Sequence, residues 1–239
     1  MRVSTLTKLD MAETVASIKS ARDLGYALAD FVDVLDYRGR SLRRIPAADL
    51  VEVTPQPGES SPKPPAVSPT AVCVDAQDRV YIGLSGSVAL VAVLDDDGRL
   101  VRRIGQRGTE PGQFTGITGL WVDKQGRMIV TDVSATPVQV FSSEGELLSW
   151  FGKHEVGWAN FSLPSGAVRD GAGRIWVADP IRQVVKSFDD KGNFLAAIGG
   201  LGTGPGEMRY PVSVSGDGDR LLVVLERAGA RFQVFEVTS

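Results

Sequence analysis

Short apolar runs alternate with turns rich in glycine and aspartate along most of this chain of 239 residues. One such series reads GAVRD, RIWVAD, QVVKSF and NFLAAIG. These runs are rich in β-branched and aromatic side chains, which is typical of strands. The turns GAGR and DDKGN between them contain residues that tolerate the positive φ angles of tight turns. The pattern therefore predicts a four-stranded antiparallel meander.

The same pattern recurs along the chain in one register. Gly98, Gly145 and Gly192 are each 47 residues apart, and Asp132 and Asp179, which close the runs MIVTD and IWVAD, are also 47 apart. A fixed period of this length indicates an array of similar supersecondary units. A column of arginines follows steps of 48, 47 and 46 residues: Arg79, Arg127, Arg174 and Arg220.

Repeated meanders without helical segments between them predict an all-β fold, a β-propeller, in which each blade packs its faces against its neighbours. We expect one domain over residues 1–239. The last unit has only three strands, so we expect residues 2–9 to supply its outer strand and to close a five-bladed ring without open edges. The alternative is an incomplete six-bladed propeller, truncated or completed by another chain. The expected blades are 13–46, 66–105, 113–152, 160–199 and 207–237.

One segment interrupts the period between the first two blades. Residues 54–65, TPQPGESSPKPP, are polar and rich in proline. Such a composition does not pack into a core and favours an extended, polyproline-like conformation. We expect a solvated loop insertion here.

The repeats GTGPGEMRYPVSVSGDG, followed by RLLVVLE, and GTEPGQFTGITGLWVDKQGRMIVTD resemble the NHL-repeat family. The resemblance covers residues 66–239 well and residues 13–46 more loosely. It implies a β-propeller fold. It says little about activity, because propellers carry unrelated functions. Some NHL propellers bind single-stranded RNA, so the resemblance also raises that alternative.

Composition narrows the classes of function. The net charge is −3, which argues against a dominant basic surface, and no run of eighteen apolar residues suggests a membrane span. The N-terminal residues lack the apolar region of a signal peptide, so we expect a cytoplasmic protein. The single cysteine, Cys73, excludes an internal disulfide, and we expect it to be a small buried apolar residue.

Strand order assigns the variable loops to one face. In an up-and-down blade with strands A to D, the B–C and D–A loops share a face, and loops on a rigid scaffold are where binding usually occurs. The richest loop, KHEVGWANF, departs from the GxGPGEM pattern. The repeated column Phe114, Phe161 and Met208 is expected to fill the core. The predicted binding residues are Trp158, Arg182, Arg209, Tyr210, Arg107 and Arg231.

Catalysis has few candidates in this sequence. His154 is the only histidine, so a zinc site with several histidines is excluded, and His154 with Glu155 is a weak candidate acid and base pair. The turns DDDGR and SGDGDR lack the ligand spacing of a calcium loop. We expect no metal and no cofactor. The stretch SLPSGAVRDGAGRIWVAD resembles streptogramin lyases, but only through the repeat itself, so a lyase or a small-ligand-binding propeller stays an alternative.

The predicted function is a non-catalytic interaction module or scaffold that binds a protein partner. RNA binding is the main alternative, because arginines accompany Trp158 and Tyr210 on the predicted face. Acidic residues among them weaken the field on which affinity for a nucleic-acid backbone depends. These acidic residues are Glu110, Glu155, Glu207 and Glu226. Self-association of the chain remains a further alternative.

Overall fold

The structure, a computed structural model, describes residues 15–17, 30–35, 38, 40–52 and 65–237. These residues form five antiparallel sheets that follow one another along the chain, named sheets I to V below. Within each sheet, strands that are consecutive in sequence lie side by side. The predicted all-β propeller with four-stranded antiparallel blades is therefore confirmed.

The three sheets with four strands come from the middle of the chain. Sheet II consists of β4 (Val67–Val74), β5 (Val80–Gly86), β6 (Leu90–Leu94) and β7 (Leu100–Ile104). Sheet III consists of β8 (Ile117–Val122), β9 (Met128–Asp132), β10 (Val138–Phe141) and β11 (Leu147–Phe151). Sheet IV consists of β12 (Ala167–Arg169), β13 (Ile175–Asp179), β14 (Val184–Phe188) and β15 (Phe194–Gly199).

The first and last sheets have three described strands each. Sheet I consists of β1 (Val15–Ser17), β2 (Phe31–Leu35) and β3 (Ser41–Pro46), and a short 3-10 helix (Ala47–Leu50) follows it. Sheet V consists of β16 (Pro211–Gly216), β17 (Leu221–Glu226) and β18 (Arg231–Glu236).

Parts of the sequence prediction lie outside the described residues. These are the closing strand at residues 2–9, nearly all of the proline-rich insertion at 54–65 and the first four residues of YALAD in the first unit. In sheet I the strand that pairs with β2 is β1, which comes earlier in the sequence than YALAD. The closure of the ring and the number of blades stay predictions.

The apolar core consists of layers between consecutive sheets. Val32 and Ile45 of sheet I pack with Val80 and Ile82 of sheet II, and similar clusters lie between sheets II and III, III and IV, and IV and V. Burial of each such side chain stabilises the fold by about 1.5–3 kcal/mol. The predicted core column is confirmed, since all three of its members are completely buried: Phe114, Phe161 and Met208.

An aspartate organises the turn between the first two strands of a sheet. Oδ1 of Asp75 accepts hydrogen bonds from the backbone N–H groups of Gln77 (2.9 Å) and Arg79 (3.0 Å), and Oδ2 accepts one from Nε of Arg79 (2.7 Å). Asp123 with Arg127, and Asp170 with Arg174, repeat this arrangement. The periodic aspartate and arginine columns therefore hold the tight turns in place.

The fourth turn differs from the sequence expectation. Asp217 accepts N–H groups from Asp219 and Leu221 at 2.9 and 3.0 Å, so Leu221 occupies the position of the arginine. Arg220 lies one residue earlier and pairs with Glu236 at 3.4 Å. The last step of 46 residues marks this shift, and the arginine column has only three structurally equivalent members.

Candidate functional site

The innermost strands of sheets II to V lie next to one another, since β4 contacts β8, β8 contacts β12 and β12 contacts β16. The segments that enter these strands are loop L1 (105–116), loop L2 (152–166) and loop L3 (200–210). They lie on the same face as the turns between the second and third strands of each sheet, as the strand order requires. This surface is called the loop face below.

A buried carboxylate at the end of the second strand closes each loop. Asp132 accepts hydrogen bonds from the N–H groups of Thr115 and Gly116 in L1, at 3.0–3.2 Å. Asp179 accepts those of Ser162 and Leu163 in L2, at 3.1 and 3.3 Å. Glu226 accepts that of Arg209 in L3, at 2.7 Å. The sequence showed the column of Asp132 and Asp179, but not its role, and its third member is a glutamate.

A second set of repeated positions, on the third strand of each sheet, also contacts these loops. Oε1 of Gln139 accepts a hydrogen bond from Gly112 (2.7 Å), and its Nε2 donates to the carbonyl of Gln113 (2.8 Å). Gln233 makes the equivalent bonds to Gly206 (2.9 Å) and Glu207 (2.7 Å) in L3. Both amide side chains therefore fix the loop backbone.

L2 is held by different chemistry. Lys186, completely buried, occupies the position of the two glutamines, and its Nζ donates to the carbonyl of Asn160 (2.6 Å) and to Asp179 (3.1 Å). Burial lowers the pKa of Lys186 from its ordinary value, and the charge and hydrogen bond of Asp179 oppose that shift without cancelling it. The pair is a buried ion pair that fixes L2.

The predicted residue Arg182 binds L2 from the turn after β13. Its guanidinium donates to Ser162 Oγ (3.1 Å) and to the carbonyls of Asn160 (3.0 Å), Gly157 and Glu155. Most of its hydrogen-bonding capacity is therefore used within the protein. Arg182 shapes the loop that carries Trp158.

Trp158 lies on the outside of this loop. Its ring stacks on Phe194 of β15, with 5.9 Å between centroids and 29° between planes. The side chain is nevertheless exposed. His154 and Glu155, the weak catalytic candidates, are exposed in the same loop.

Arg209 and Tyr210 lie where L3 meets sheet IV. The backbone N–H of Tyr210 donates to Oε1 of Gln183, and the N–H of Gly200 donates to the carbonyl of Gln183 (2.8 Å). Tyr210 and Gln183 have φ angles of 60° and 61°, in the left-handed region that few side chains adopt. L3 is thus tied to the turn that carries Arg182, while the side chain of Arg209 is exposed.

Arg231 and Arg107 have structural contacts. Arg231 donates to Oε1 of Glu226 (2.7 Å) and to the carbonyls of Thr203 (2.6 Å) and Glu207 (2.7 Å), so it holds L3. Burial acts to raise the pKa of Glu226, but the hydrogen bonds from Arg231, the Arg209 N–H and Gln233 outweigh it, so this pKa is lowered. Arg107 donates to the carbonyl of Gly86, away from L2 and L3.

Large apolar side chains protrude from the same segments. Val156 and Trp158 in L2 are 96% and 63% exposed, Leu201 in L3 is 75% exposed, and Ile181 beside Arg182 is 53% exposed. Sequence reasoning selected only Trp158 among them. The available signal was the presence of apolar residues in polar loops, outside the alternating strand pattern.

A cavity of about 530 Å³ opens on the opposite face, where the first turns of sheets II to V converge. Cys73, Trp121 and Arg169 are among the side chains that line it. Cys73, expected to be a small buried apolar residue, is partly buried and packs against the core cluster between sheets II and III, and burial raises the pKa of its thiol to about 11. Sequence reasoning did not find this cavity. Across residues 65–237 and the described parts of sheet I, no three histidine, cysteine, aspartate or glutamate residues lie close enough together to hold a metal ion.

Comparison with known proteins places the fold but not the family. No protein-family model matches the chain, and no curated protein matches it in sequence. A protein of unknown function from Bacteroides caccae superposes with a TM-score of 0.57 at 10% identity, covering 82% of this chain and 64% of that one. A streptogramin B lyase superposes with a TM-score of 0.55 at 12% identity, covering 88% and 63%.

The β-propeller domain of Myceliophthora thermophila Cps50 (Swd1) is similar to the same degree, with a TM-score of 0.55, 12% identity and coverage of 87% and 64%. At these identities the likeness shows the propeller fold alone. The chain spans slightly less than two thirds of the length of each of these three structures. In the described part of the chain, no helix has the length and apolar character needed to cross a membrane.

Proposed function

We propose that this chain is an NHL-like propeller that binds a protein partner through the loop face and has no catalytic activity. The observation that carries the proposal is the exposure of Val156, Trp158, Ile181 and Leu201 on neighbouring loops. Apolar groups that gather on a protein surface are characteristic of interaction sites, and in this proposal the four side chains serve one such site. Trp and Tyr are preferred anchors of such sites.

The loops that carry these side chains are fixed before a partner arrives. Arg182 and the ion pair of Lys186 with Asp179 hold L2, and Arg231 with Gln233 holds L3. A preorganised surface loses less conformational entropy on binding. The fixed loops therefore support a role in recognition more than in gating.

The predicted binding residues divide into two groups in this proposal. Trp158, Arg209 and Tyr210 contact the partner directly, since Trp158 and Arg209 are exposed and Tyr210 adjoins Arg209. Arg182 and Arg231 act mainly by positioning L2 and L3. Arg107 contributes at the distant edge of the face, next to Gly86.

Neither alternative has comparable support. RNA binding needs free cations, but the guanidinium groups of Arg182 and Arg231 are bonded to backbone carbonyls and to Glu226. Lyase chemistry has only His154 and Glu155 as candidates, both exposed. A small ligand could instead use the cavity beside Arg169, on the opposite face.

The test compares three forms of the intact protein as baits for native extract, with both bound protein and bound RNA identified. Trp158→Ala combined with Leu201→Ser removes two exposed apolar groups of the loop face. Trp150→Ala is the matched control, because Trp150 is an exposed tryptophan on the outer strand β11, outside the loops.

We expect one protein to bind the wild type and the Trp150 variant and to be lost from the loop-face variant. Equal retention of that protein by all three forms would contradict the proposal. Recovery of RNA that is released by salt, and that is weakened by Arg209→Gln, would favour the nucleic-acid alternative instead.

A further inference from the structure

Arg169 interrupts the apolar pattern of the innermost strands. In sheets II, III and V the residue directly before the turn aspartate is apolar or glycine: Val74, Val122 and Gly216. In sheet IV this residue is Arg169, and its side chain is only 7% exposed. Arginine is almost never buried to this extent unless it is paired. A residue that breaks the local rule of its fold in this way indicates a functional or strained position.

The guanidinium of Arg169 is only partly satisfied. Its Nη1 donates to the carbonyl of Gly173 (3.0 Å) and to Oδ1 of Asp190. Its Nε is buried and has no hydrogen-bond partner among the described residues. The side chain of Asp190 is 65% exposed, so water weakens its compensation of the buried charge. Buried polar groups are nearly always hydrogen-bonded, so an open donor on a buried cation indicates a site for an acceptor.

Arg169 lines the cavity on the face opposite the loop face. The cavity volume, about 530 Å³, lies within the range of small-molecule sites, about 300–1,000 Å³. Val168 packs toward sheet V, so the alternation along β12 directs Arg169 toward sheet III. There Trp121 packs toward sheet IV and lines the same cavity. The wall beside Arg169 is therefore formed by two sheets with all of their strands described.

The strand ends around Arg169 give this cavity apolar walls. They are contributed by Cys73, Val74, Trp121 and Val122. Trp121 is only half-buried, so part of its side chain is available to a molecule in the cavity. A large apolar surface with a few convergent polar groups is the usual composition of a small-molecule site.

The lining also contains carboxylates, but these are engaged by their own turns. Asp123 and Asp170 pair with the arginines of those turns, and Asp217 accepts backbone N–H groups. Arg169 keeps an open donor, and Lys124 is an exposed lysine of the lining. Asp217 lacks the paired arginine of the other two turns, so it would repel a second negative charge on a ligand. The cavity therefore favours a molecule with a single negative charge.

We propose that this cavity binds a small organic acid with one carboxylate and an apolar body. The carboxylate accepts hydrogen bonds from the edge of Arg169 formed by Nε and Nη2, since such an edge can bind a carboxylate through two parallel bonds. The apolar body lies against Trp121 and Val122. The site is separate from L2 and L3, so a ligand here and a partner on the loop face can be bound at the same time.

The experiment titrates the full chain with phenylacetate and with its neutral counterpart, phenylacetamide. Hexanoate and inorganic phosphate are further probes, and binding is measured by saturation-transfer NMR and calorimetry. Arg169→Val introduces the residue type found at positions 74 and 122, and Arg169→Lys keeps the charge without the planar edge. The control is Arg220→Gln, which removes a positive charge from an exposed turn on the same face, outside the cavity.

We expect phenylacetate and hexanoate to bind the wild type and the control, and phenylacetamide to bind about tenfold more weakly or less. Arg169→Val should lose this preference for the acid and keep or raise the midpoint of thermal unfolding, because it removes a poorly compensated buried charge. Arg169→Lys should also weaken binding of both acids, and it serves as the test if the valine variant does not fold.

Three results would overturn the proposal. The first is that neither carboxylate binds the wild type. The second is that acid and amide bind equally well, or that both variants at Arg169 bind phenylacetate as the wild type does, in which case Arg169 has only a structural role. The third is tighter binding of inorganic phosphate than of either carboxylate, which would assign the cavity to inorganic anions.

Discussion

Loops L1 and L2 occupy equivalent positions in the repeat but are held by opposite chemistry. In L1, the neutral amide of Gln139 satisfies one N–H and one carbonyl of the loop. In L2, the charged Lys186 reaches a carbonyl and needs Asp179 as its counter-ion. Both side chains are completely buried.

The difference shows how one scaffold accommodates unlike loops. L1 presents the N–H of Gly112 and the carbonyl of Gln113 to its glutamine, whereas the contact of L2 with Lys186 is made through a carbonyl, that of Asn160. A donor is therefore required below L2, and lysine supplies it at the cost of a buried charge. The loop with the exposed Trp158 is the one whose support depends on an ion pair.

The largest effect is expected for Asp179→Asn. Removing one partner of a buried ion pair leaves the other charge uncompensated, which typically destabilises by about 3–5 kcal/mol. For a domain of this size we expect the midpoint of thermal unfolding to fall by roughly 6–20 °C. Calorimetry on the purified variant measures this change.

The comparison between loops supplies the control. Asp132→Asn changes the equivalent carboxylate below L1, where the acceptor binds N–H groups and the neighbouring column residue is neutral, so a smaller loss is expected. A double variant, Asp179→Asn with Lys186→Gln, imitates L1 and should recover part of the loss. Equal destabilisation by both single variants, with no recovery, would mean that the ion pair has no special role in L2.

A smaller effect is expected for Gln139→Met, which keeps the approximate shape and removes both hydrogen bonds to L1. Buried groups left without partners cost about 1–3 kcal/mol. Hydrogen exchange should accelerate at Gly112, whose N–H loses its acceptor, while L2 amides stay unchanged. Faster exchange throughout L2 as well would show that the loops are not independently held.

The carboxylate that holds L3, Glu226, can be tested through the dependence of protein stability on pH. The pKa of Glu226 in the folded protein is lowered, so its ionised form stabilises the fold above the ordinary glutamate pKa of about 4.3. That contribution is lost as the pH falls through the lowered folded value. Glu226→Gln should therefore reduce stability at neutral pH and flatten its decline in acid. Parallel acid profiles for the wild type and the variant would contradict this assignment.

The sequence predicted the repeated frame because its determinants are local. Asp75 and Arg79 lie within one turn, and their contact stabilises that turn. The recurrence of these two residue types along the sequence therefore indicates the recurrence of the turn. The same reasoning failed at Arg220. An arginine is present there, but it lies one residue before the position that the arginine occupies in the other turns, and it pairs with Glu236 instead. A fixed spacing is reliable only when the whole turn keeps its length.

The support of the loops could not be predicted in the same way. Gln139, Lys186 and Gln233 are polar residues within strands, and alternation alone assigns such residues to a solvated face. They are satisfied by loops that arrive from another part of the sequence. Likewise, the pattern of apolar residues in β17 and β18 does not reveal that Leu225 and Phe232 are exposed, because exposure depends on whether a further sheet packs against them.

The smallest effect on stability is expected for Trp158→Ala in L2. Trp158 gains about 0.5–1.5 kcal/mol from its contact with Phe194, as aromatic pairs do, but much of its ring remains in water. We therefore expect a stability loss near 1 kcal/mol, together with a large loss of partner binding. Thermal unfolding and binding must be measured on the same preparation, with Trp150→Ala alongside. A loss comparable to that of Asp179→Asn would place Trp158 in the support of L2, and the proposed anchor of the loop face would have to be sought at Val156 or Leu201.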